Sequence, residues 1–361
     1  HNVAVGSASL DANTTGAHNT AIGRQALTAN TESNHNTAVG YQTLAVNTTG
    51  TQNTAVGSLA LTTSSTASTC AAFGYSSLKV NTASHNSAFG ANSLMANTTG
   101  DQNCAFGYNT LRQATTASRN AAFGWRAMDA TTTGGYNVAV GDQALYSNTT
   151  GSNNVAVGHN ALHLHTTGYE NTAIGSRAGD TLTDGYRNCF MGEDAGDDIT
   201  TGHNNVIIGR QADGASSSTA GSVVIGAALT GKGDYTGYYG GSSGVYNSDN
   251  TSTWQTTSDR RIKKNIVDNN IGLDILNKIQ VRNFEYRTED EIVDFENPKS
   301  AVVEKEGKQI GVIAQEIEKI LPNIIKTQST GVKTVDPNDL TWYLINAVKE
   351  LFAEVSALKA A

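Results

Sequence analysis

Asn36-Thr37-Ala38-Val39-Gly40-Tyr41-Gln42-Thr43-Leu44-Ala45-Val46-Asn47-Thr48-Thr49-Gly50-Thr51-Gln52 is one copy of a 17-residue unit, and the next copy begins at Asn53. The glycine of the unit recurs at 6, 23, 40, 57, 74, 90, 107, 124, 141, 158, 175, 192, 209 and 226, every interval being 17 except the 16 from Gly74 to Gly90. A large apolar residue always precedes it, from Val5 and Ile22 through Phe73, Phe89, Phe106 and Phe123 to Ile225. Asparagine stands four residues before it in twelve of the fourteen copies, leucine usually returns four residues after it, and a turn of the Asn-Thr-Thr-Gly type closes the copy. Each copy therefore predicts a strand of four or five residues, a glycine bend, a second short apolar stretch and a polar turn. Asn, Thr and Gly dominate every copy, which argues against helix. Unbroken phase over so many copies argues against a flexible linker.

Stacking the copies aligns the pre-glycine residues in one apolar column and the asparagines in a hydrogen-bonding ladder, the pattern of a parallel β-solenoid. The alanines and single valines of one coil are a thin core against about 1–2 kcal/mol of backbone entropy per residue. An obligate trimer that buries a second face is therefore expected. Identical copies also offer degenerate registers, and nonlocal parallel pairing is slow, so a compact end domain is expected to set register. The Asn-x-Ala-[Val/Ile/Phe]-Gly pattern resembles the head repeats of trimeric autotransporter adhesins of the YadA type. That resemblance implies a left-handed trimeric β-roll, although those repeats are typically shorter.

Composition splits the chain. Lys79 and Lys232 alone precede residue 258, eleven lysines follow it, and Pro298, Pro322 and Pro337 all lie in the last quarter. The net charge is -8 and the first 250 residues carry no basic stripe, which leaves no footprint for nucleic acid. No apolar run of eighteen residues occurs, so membrane insertion is not expected. The chain opens in phase with the repeat and without methionine, as expected of a fragment. Cys104 and Cys189 each sit three residues before a repeat glycine, about 24 Å apart at strand spacing, too far for a disulfide within the chain. With Cys70 they are expected as packing thiols. His18, His35 and His85 share the position five before the glycine, a surface column, and His163-x-His165 has no carboxylate at ligand spacing; no metal or cofactor is implied. From Gly231 to Trp254 the repeat decays into Gly, Ser, Tyr and Asn, a solvated neck in which Tyr238, Tyr239 and Trp254 are also suited to stacking on sugar rings.

Thr257-Ser258-Asp259-Arg260-Arg261-Ile262-Lys263-Lys264-Asn265-Ile266 opens the last segment. Ile313 to Leu321 reads as a short amphipathic helix ended by Pro322. Leu344, Val348, Leu351, Val355 and Leu358 fall at 4-3-4-3 spacing, which suits ordinary helix packing or a coiled-coil seam. Beside a shaft that needs a trimer, a threefold helical bundle is expected. With Ile310-Gly311-Val312-Ile313-Ala314-Gln315-Glu316-Ile317 and Val281 to Tyr286, the segment resembles the intramolecular chaperone of phage endosialidases and tail spikes, the S74 peptidase family.

Serine made nucleophilic by lysine is an established alternative to the histidine triad. The lysine acts as base only when burial or neighbouring positive charge lowers its pKa, and Arg260, Arg261 and Lys264 supply that charge. The resemblance implies Ser258 as nucleophile, Lys263 as base and Ser258-Asp259 as the scissile bond. A serine attacking its own carbonyl closes a four-membered ring; attack across the trimer avoids that strain, whereas attack on the preceding carbonyl would cut at Thr257-Ser258. The resulting expectation is a mainly β protein with a trimeric parallel β-solenoid or β-roll over 1–230, a neck over 231–257, and a small α+β chaperone and auto-protease domain over 258–361. The chain reads as a viral tail fibre or spike of the virion that releases its own chaperone. The alternative is a trimeric bacterial surface adhesin with a retained end cap. Itself as homotrimer is the expected partner, with a host-surface glycan or protein as receptor. No acid pair of a glycosidase accompanies the repeats.

Overall fold

A computed structural model describes residues 1–240, 245–247, 265–269, 271–288, 291, 306–327 and 333–360. It divides into two compact units, His1–Thr257 and Ser258–Ala361.

In the first unit, fourteen three-residue strands from β1 (Val3–Val5) to β14 (Val223–Ile225) stack in chain order, every pair parallel. The predicted parallel solenoid is what forms. Its strands are shorter than expected, and their facing is the reverse of what a core of valines requires. The middle residue of each strand points in: Ala21, Ala38, Ala55 and Ala105 are fully buried. The pre-glycine residue points out, as period-2 alternation dictates once the alanine is inside. Val5, Ile22, Phe123, Val140, Ile174 and Met191 all remain exposed. The interior is completed by the leucine four residues after the glycine, represented by Leu27, Leu44, Leu61 and Leu111 at full burial.

The second apolar stretch is a run of turns rather than a strand. Two residues in it take left-handed backbone, as at Gln42 (φ 52) and Leu44 (φ 51). Leu44 N–H donates to Ala60 of the next coil at 3.1 Å, so the conformation is held by inter-coil hydrogen bonding. Left-handed backbone disfavours β-branched side chains on steric grounds, and Thr69 is the one such residue among the described positions that takes it. Leu, and once Met128, fills this place in the first ten coils, never Val or Ile. The glycine bend is stricter still. Gly107 sits at φ +140, and a Cβ on it would lie 2.2 Å from the carbonyl oxygen of Gly124.

Two ladders run along the inside. The pre-strand asparagines are buried, and each Oδ1 accepts the backbone N–H of its successor: Asn36 from Asn53 at 3.0 Å, Asn103 from Asn120 at 3.0 Å, Asn137 from Asn154 at 2.9 Å. Each Nδ2 donates across the coil, as Asn36 does to Gly50 O at 2.9 Å. In the closing turn, Asn47 Nδ2 donates to Gly50 O at 3.0 Å. The sixteen-residue coil absorbs its missing residue in that turn, where Asn81 Nδ2 reaches Ala83 O at 2.6 Å, and strand register is kept, Phe73 still opposing Phe89. Further along, Gly179 and Gly196 replace the core leucine, and Phe190 takes the inward strand place between them. A Cβ on either glycine would lie 2.6 Å from its ring.

The stretch expected as a neck begins by continuing the solenoid. Strand β15 (Gly237–Tyr239) pairs parallel with β14, and β16 (Val245–Asn247) reverses direction against β15. Tyr238 takes the inward position and is buried, so it is not the exposed sugar-stacking ring the sequence suggested; Tyr239 stays exposed, and Trp254 lies outside the described residues.

Gly107→Ala should lower stability by more than the about 1–3 kcal/mol of backbone strain alone, since a clash is added. Gly233→Ala, at φ +130 with nothing within 4 Å of its Cβ, should cost strain only. Denaturant unfolding at equal chain concentration checks the order of the two losses.

His165 occupies the turn-asparagine place fully buried, and neither ring nitrogen makes a hydrogen bond of good geometry. Burial holds its pKa down to about 4, and the Gly168 carbonyl and the Asp184 carboxylate oppose the shift only in part. A base whose folded pKa lies below the unfolded value of about 6.5 contributes stability that is complete above pH 6.5 and lost as pH falls towards 4, up to about 3 kcal/mol. Asp213, pushed up to about 6 by burial, acts with the opposite sign, losing stability as pH rises from about 3.8 to 6. The difference between wild type and His165→Leu isolates the histidine. The variant's melting temperature should gain on wild type progressively below pH 6.5, and a difference constant between pH 7 and 4.5 would refute the buried neutral histidine.

Candidate functional site

Ser258, Asp259, Arg260, Arg261, Lys263 and Lys264 lie outside the described residues, so the structure neither brings the serine and lysine together nor separates them. The described chain resumes at Asn265, two residues after Lys263, with φ 55, a left-handed turn that asparagine tolerates well.

The second unit is built on a small apolar core of Ile317, Leu321, Ile324 and Tyr343, with Ile271, Ile275, Leu276, Ile279, Val312 and Leu340 packed against it. Helix α1 (Leu273–Leu276) and α2 (Ala314–Ile317) are single turns, and Pro322 ends the second helical stretch as a short 3-10 helix over Pro322–Ile324. Strand β17 (Arg282–Phe284) pairs antiparallel with β18 (Gln309–Gly311), and β19 (Ile325–Thr327) with β20 (Lys333–Val335). Arg282 forks onto the Glu316 carboxylate at 3.2 and 3.0 Å, fixing the hairpin against α2. These are the blocks that carried the resemblance to a chaperone segment.

Helix α3 (Asn338–Ala360) spans 23 residues. Leu340, Tyr343 and Ala347 face the core of the unit. Leu344, Val348, Leu351, Val355 and Leu358 lie about a quarter turn away at 100° per residue, and they are 39–78% exposed. A face this apolar and this exposed is unusual on a monomer. The outer sheet face of the solenoid is also apolar, with Phe123 exposed and Phe73, Phe89 and Phe106 half-buried against one another. Phe73, Phe89, Phe106 and Phe123 stack there with ring centroids 4.6, 4.4 and 5.0 Å apart, a spacing imposed by the strands beneath. Cys104 and Cys189 belong to this outer face and are only partly buried, whereas Cys70 is inside, where burial pushes its thiol pKa up.

Stacking also creates polar sites that the linear sequence hides. Asp129 is buried between Arg112 at 2.8 Å and Arg126 at 2.9 Å, and Arg126 lies over the rings of Trp125 and Tyr146 at 5.2 and 4.6 Å. His163 has Asp180 of the next coil 3.7 Å away, a partner invisible at short spacing. His18 and His35 form a stacked exposed pair, ring centroids 4.9 Å apart. Among the described residues no group of three or more His, Cys, Asp or Glu is arranged to hold a metal ion. No described helix is long and apolar enough to cross a membrane.

Residues 258–326 match the family model described as the chaperone of endosialidase, Peptidase_S74. The match begins at the candidate nucleophile, covers under a fifth of the 361 residues, and ends before β20 and α3. Comparison with the curated proteins gives no match, and comparison with the solved structures gives none. The chain thus joins a fourteen-coil parallel β-solenoid to a segment of the chaperone-of-endosialidase type.

Leu351→Asp in the middle of the exposed α3 face should leave the unit's own core intact, because the residue makes no contribution to it. It should abolish any self-association through the helix, read by sedimentation equilibrium of the full chain. Unchanged association would show that this face is not used.

Proposed function

We propose that this chain is the shaft and chaperone segment of a homotrimeric viral tail fibre, and that the chaperone is released by self-cleavage at Ser258. The carrying observation is the family match starting at the joint, immediately after a solenoid whose outer face is an unpartnered apolar column. The solenoid spans roughly 60 Å at about 4.8 Å per coil. Three copies packed about one axis cover that column with one another, and three α3 helices cover their exposed faces in the same way. The short local contacts of the second unit form before fourteen interchangeable coils find their register, which is the physical need that a folding template answers.

In the cleavage step, Lys263 Nζ takes the proton from the Ser258 hydroxyl. Ser258 Oγ then attacks the Ser258 carbonyl carbon of a neighbouring copy, because attack on its own would close a four-membered ring. Collapse of the tetrahedral adduct breaks the bond to Asp259, whose amine leaves with the proton held by the lysine. Water hydrolyses the ester and restores Ser258. The net change is one peptide bond and one water converted to a carboxylate at Ser258 and an amine at Asp259. A lysine serves as base only where desolvated or crowded by positive charge, a condition that assembly of Arg260, Arg261 and Lys264 from three copies meets and an unfolded chain does not. Loss of the template then leaves the shaft kinetically trapped. Attachment to a host-surface glycan or protein and residence on the virion follow from the fibre reading.

Intact mass spectrometry of purified wild-type protein tests the chemistry. Two fragments ending at Ser258 and beginning at Asp259 are expected, and a cut at Thr257 would be told apart by the mass of one serine. Ser258→Ala and Lys263→Ala should each leave full-length chain that is still trimeric. Uncut wild-type trimer would mean a retained cap, and a stable folded monomer of the full chain would remove the trimer itself.

A further inference from the structure

We infer that the residues just after the repeat glycines, Tyr41, Tyr75, Tyr108 and Trp125, form a binding track for a linear glycan lying along the shaft. The track rests on the tail-fibre reading above, to which it adds the class of receptor and the side chains that hold it.

In successive coils this column reads Arg24, Tyr41, Ser58, Tyr75, Ala91, Tyr108 and Trp125. The backbone locks it rung by rung. The Tyr41, Tyr75 and Tyr108 carbonyls accept the N–H of Leu59, Asn92 and Arg126, each one coil on, at 2.9 Å. All four rings are 41–56% exposed. Two coils, about 9.6 Å, separate Tyr41 from Tyr75 and Tyr75 from Tyr108, and the small Ser58 and Ala91 stand in the gaps. Arg24, from the preceding coil, lies over the Tyr41 ring at 5.6 Å, so one face of that ring looks along the stack. Trp125 is backed by Arg126 at 5.2 Å, which Asp129 holds in turn. Beside the rings, Gln42 Nε2 donates to Gln25 Oε1 and Asn92 Nδ2 to Asn109 Oδ1, both at 3.0 Å. Amides paired in this way keep further donors and lone pairs for a ligand.

Across the glycine bend, the phenylalanine column differs in kind. It is unbroken from Phe73 to Phe123 and ends in hydrocarbon, the form of a surface that another copy covers. The post-glycine column is interrupted by small residues, and each of its rings carries a phenol hydroxyl or an indole N–H. Such side chains suit a partner that is apolar on one side and wet on the other. A pyranose unit is that partner, with C–H bonds on its face and hydroxyls around its rim. An extended peptide is a poorer fit, because stacked strands leave unpaired backbone only at the two ends of the sheet and none along its sides. Single-stranded nucleic acid also stacks on exposed rings but needs a cationic groove, and no basic stripe runs along these coils. A compact ligand meets one or two rings, whereas a stiff polymer aligned with the shaft meets all four as linked binding events.

The test presents the purified, assembled full chain to an array of defined oligosaccharides and bacterial surface polysaccharides, then measures affinity for the bound glycan by calorimetry. Wild type should bind at least one linear glycan, and longer members of that series should bind more tightly than the disaccharide. Tyr75→Ser and Trp125→Ala should each weaken binding on the order of tenfold, and together by more, with native mass unchanged. Tyr136→Ser removes a comparably exposed ring from a different column and should bind as wild type does. Wild-type affinity in the double variant overturns the track and puts the glycan elsewhere on the fibre. An array with nothing bound also overturns it, leaving a fibre with a protein receptor. A folded Tyr75→Ser or Trp125→Ala protein of lower native mass places the column between copies, which overturns it as well. Should these variants fail to fold, Ala91→Gln decides by filling the gap between Tyr75 and Tyr108: weakened binding supports the track and unchanged binding refutes it. Glycan bound through these rings by a monomer would sink the fibre reading while leaving the track in place.

Discussion

The buried asparagine ladder is the constraint on which the solenoid depends. A coil of this composition has alanine and one leucine to hide, too little apolar surface to select one stacking geometry. Asparagine supplies selection because its amide has both donors and acceptors and is costly to bury unpaired. From Asn19 to Asn205, Oδ1 takes the N–H of the residue one coil on, and Nδ2 bonds a carbonyl across the coil. A slip of one residue would strand both groups in the interior. The net worth of each bond is only about 0.5–1.5 kcal/mol, but the penalty for losing it inside is larger. The ladder therefore acts more by excluding wrong pairings than by deepening the right one.

With small residues committed to the inside, the large ones are left on the outside. The phenylalanine column and the apolar face of α3 share this origin: each belongs to an element already held by its other face. Burying Ala122 and exposing Phe123 is a poor solution for a chain left uncovered and a sound one for a chain packed against another. The conformational cost of ordering the coil is met by the asparagines and alanines, so the aromatic surface is free for contacts between molecules.

Much of this was legible in the spacing of glycines. A period held over fourteen copies dictates stacked coils, and the asparagine four residues ahead of the glycine announces the ladder. The sheet facing was not legible from hydrophobicity, because in Thr-Ala-Val the valine looks like the core residue and the alanine like filler. The corrective signal was nearby. A small residue kept between variable ones through eleven successive strands marks a packed interior; Ala gives way to Phe190 where Gly179 and Gly196 clear the space, and then to Ile207 and Val224. Likewise, Leu but never Val or Ile four residues after the glycine points to left-handed backbone rather than a second strand. Tyr238 continued the inward column under a shortened coil, which repeat counting could not follow. For the joint, the sequence offers residue types and a family pattern. Within the second unit, the hydrogen bond from the Leu273 N–H to the Glu350 carboxylate joins positions 77 apart and leaves no periodic trace.

The sixteen-residue coil carries a consequence for how such a shaft varies. Its missing residue is taken up wholly at Asn81–Ala83, while Ala71 and Phe73 keep their partners Ser87 and Phe89. Turns are thus elastic in length and strands are not. Loss or gain of a few residues in a turn alters local outline without moving anything above or below, whereas duplication or deletion of one complete unit lengthens or shortens the rod by a single rung. Reach in this molecule is a whole-number quantity, adjusted by copying, and the same architecture can be re-scaled without redesigning either end.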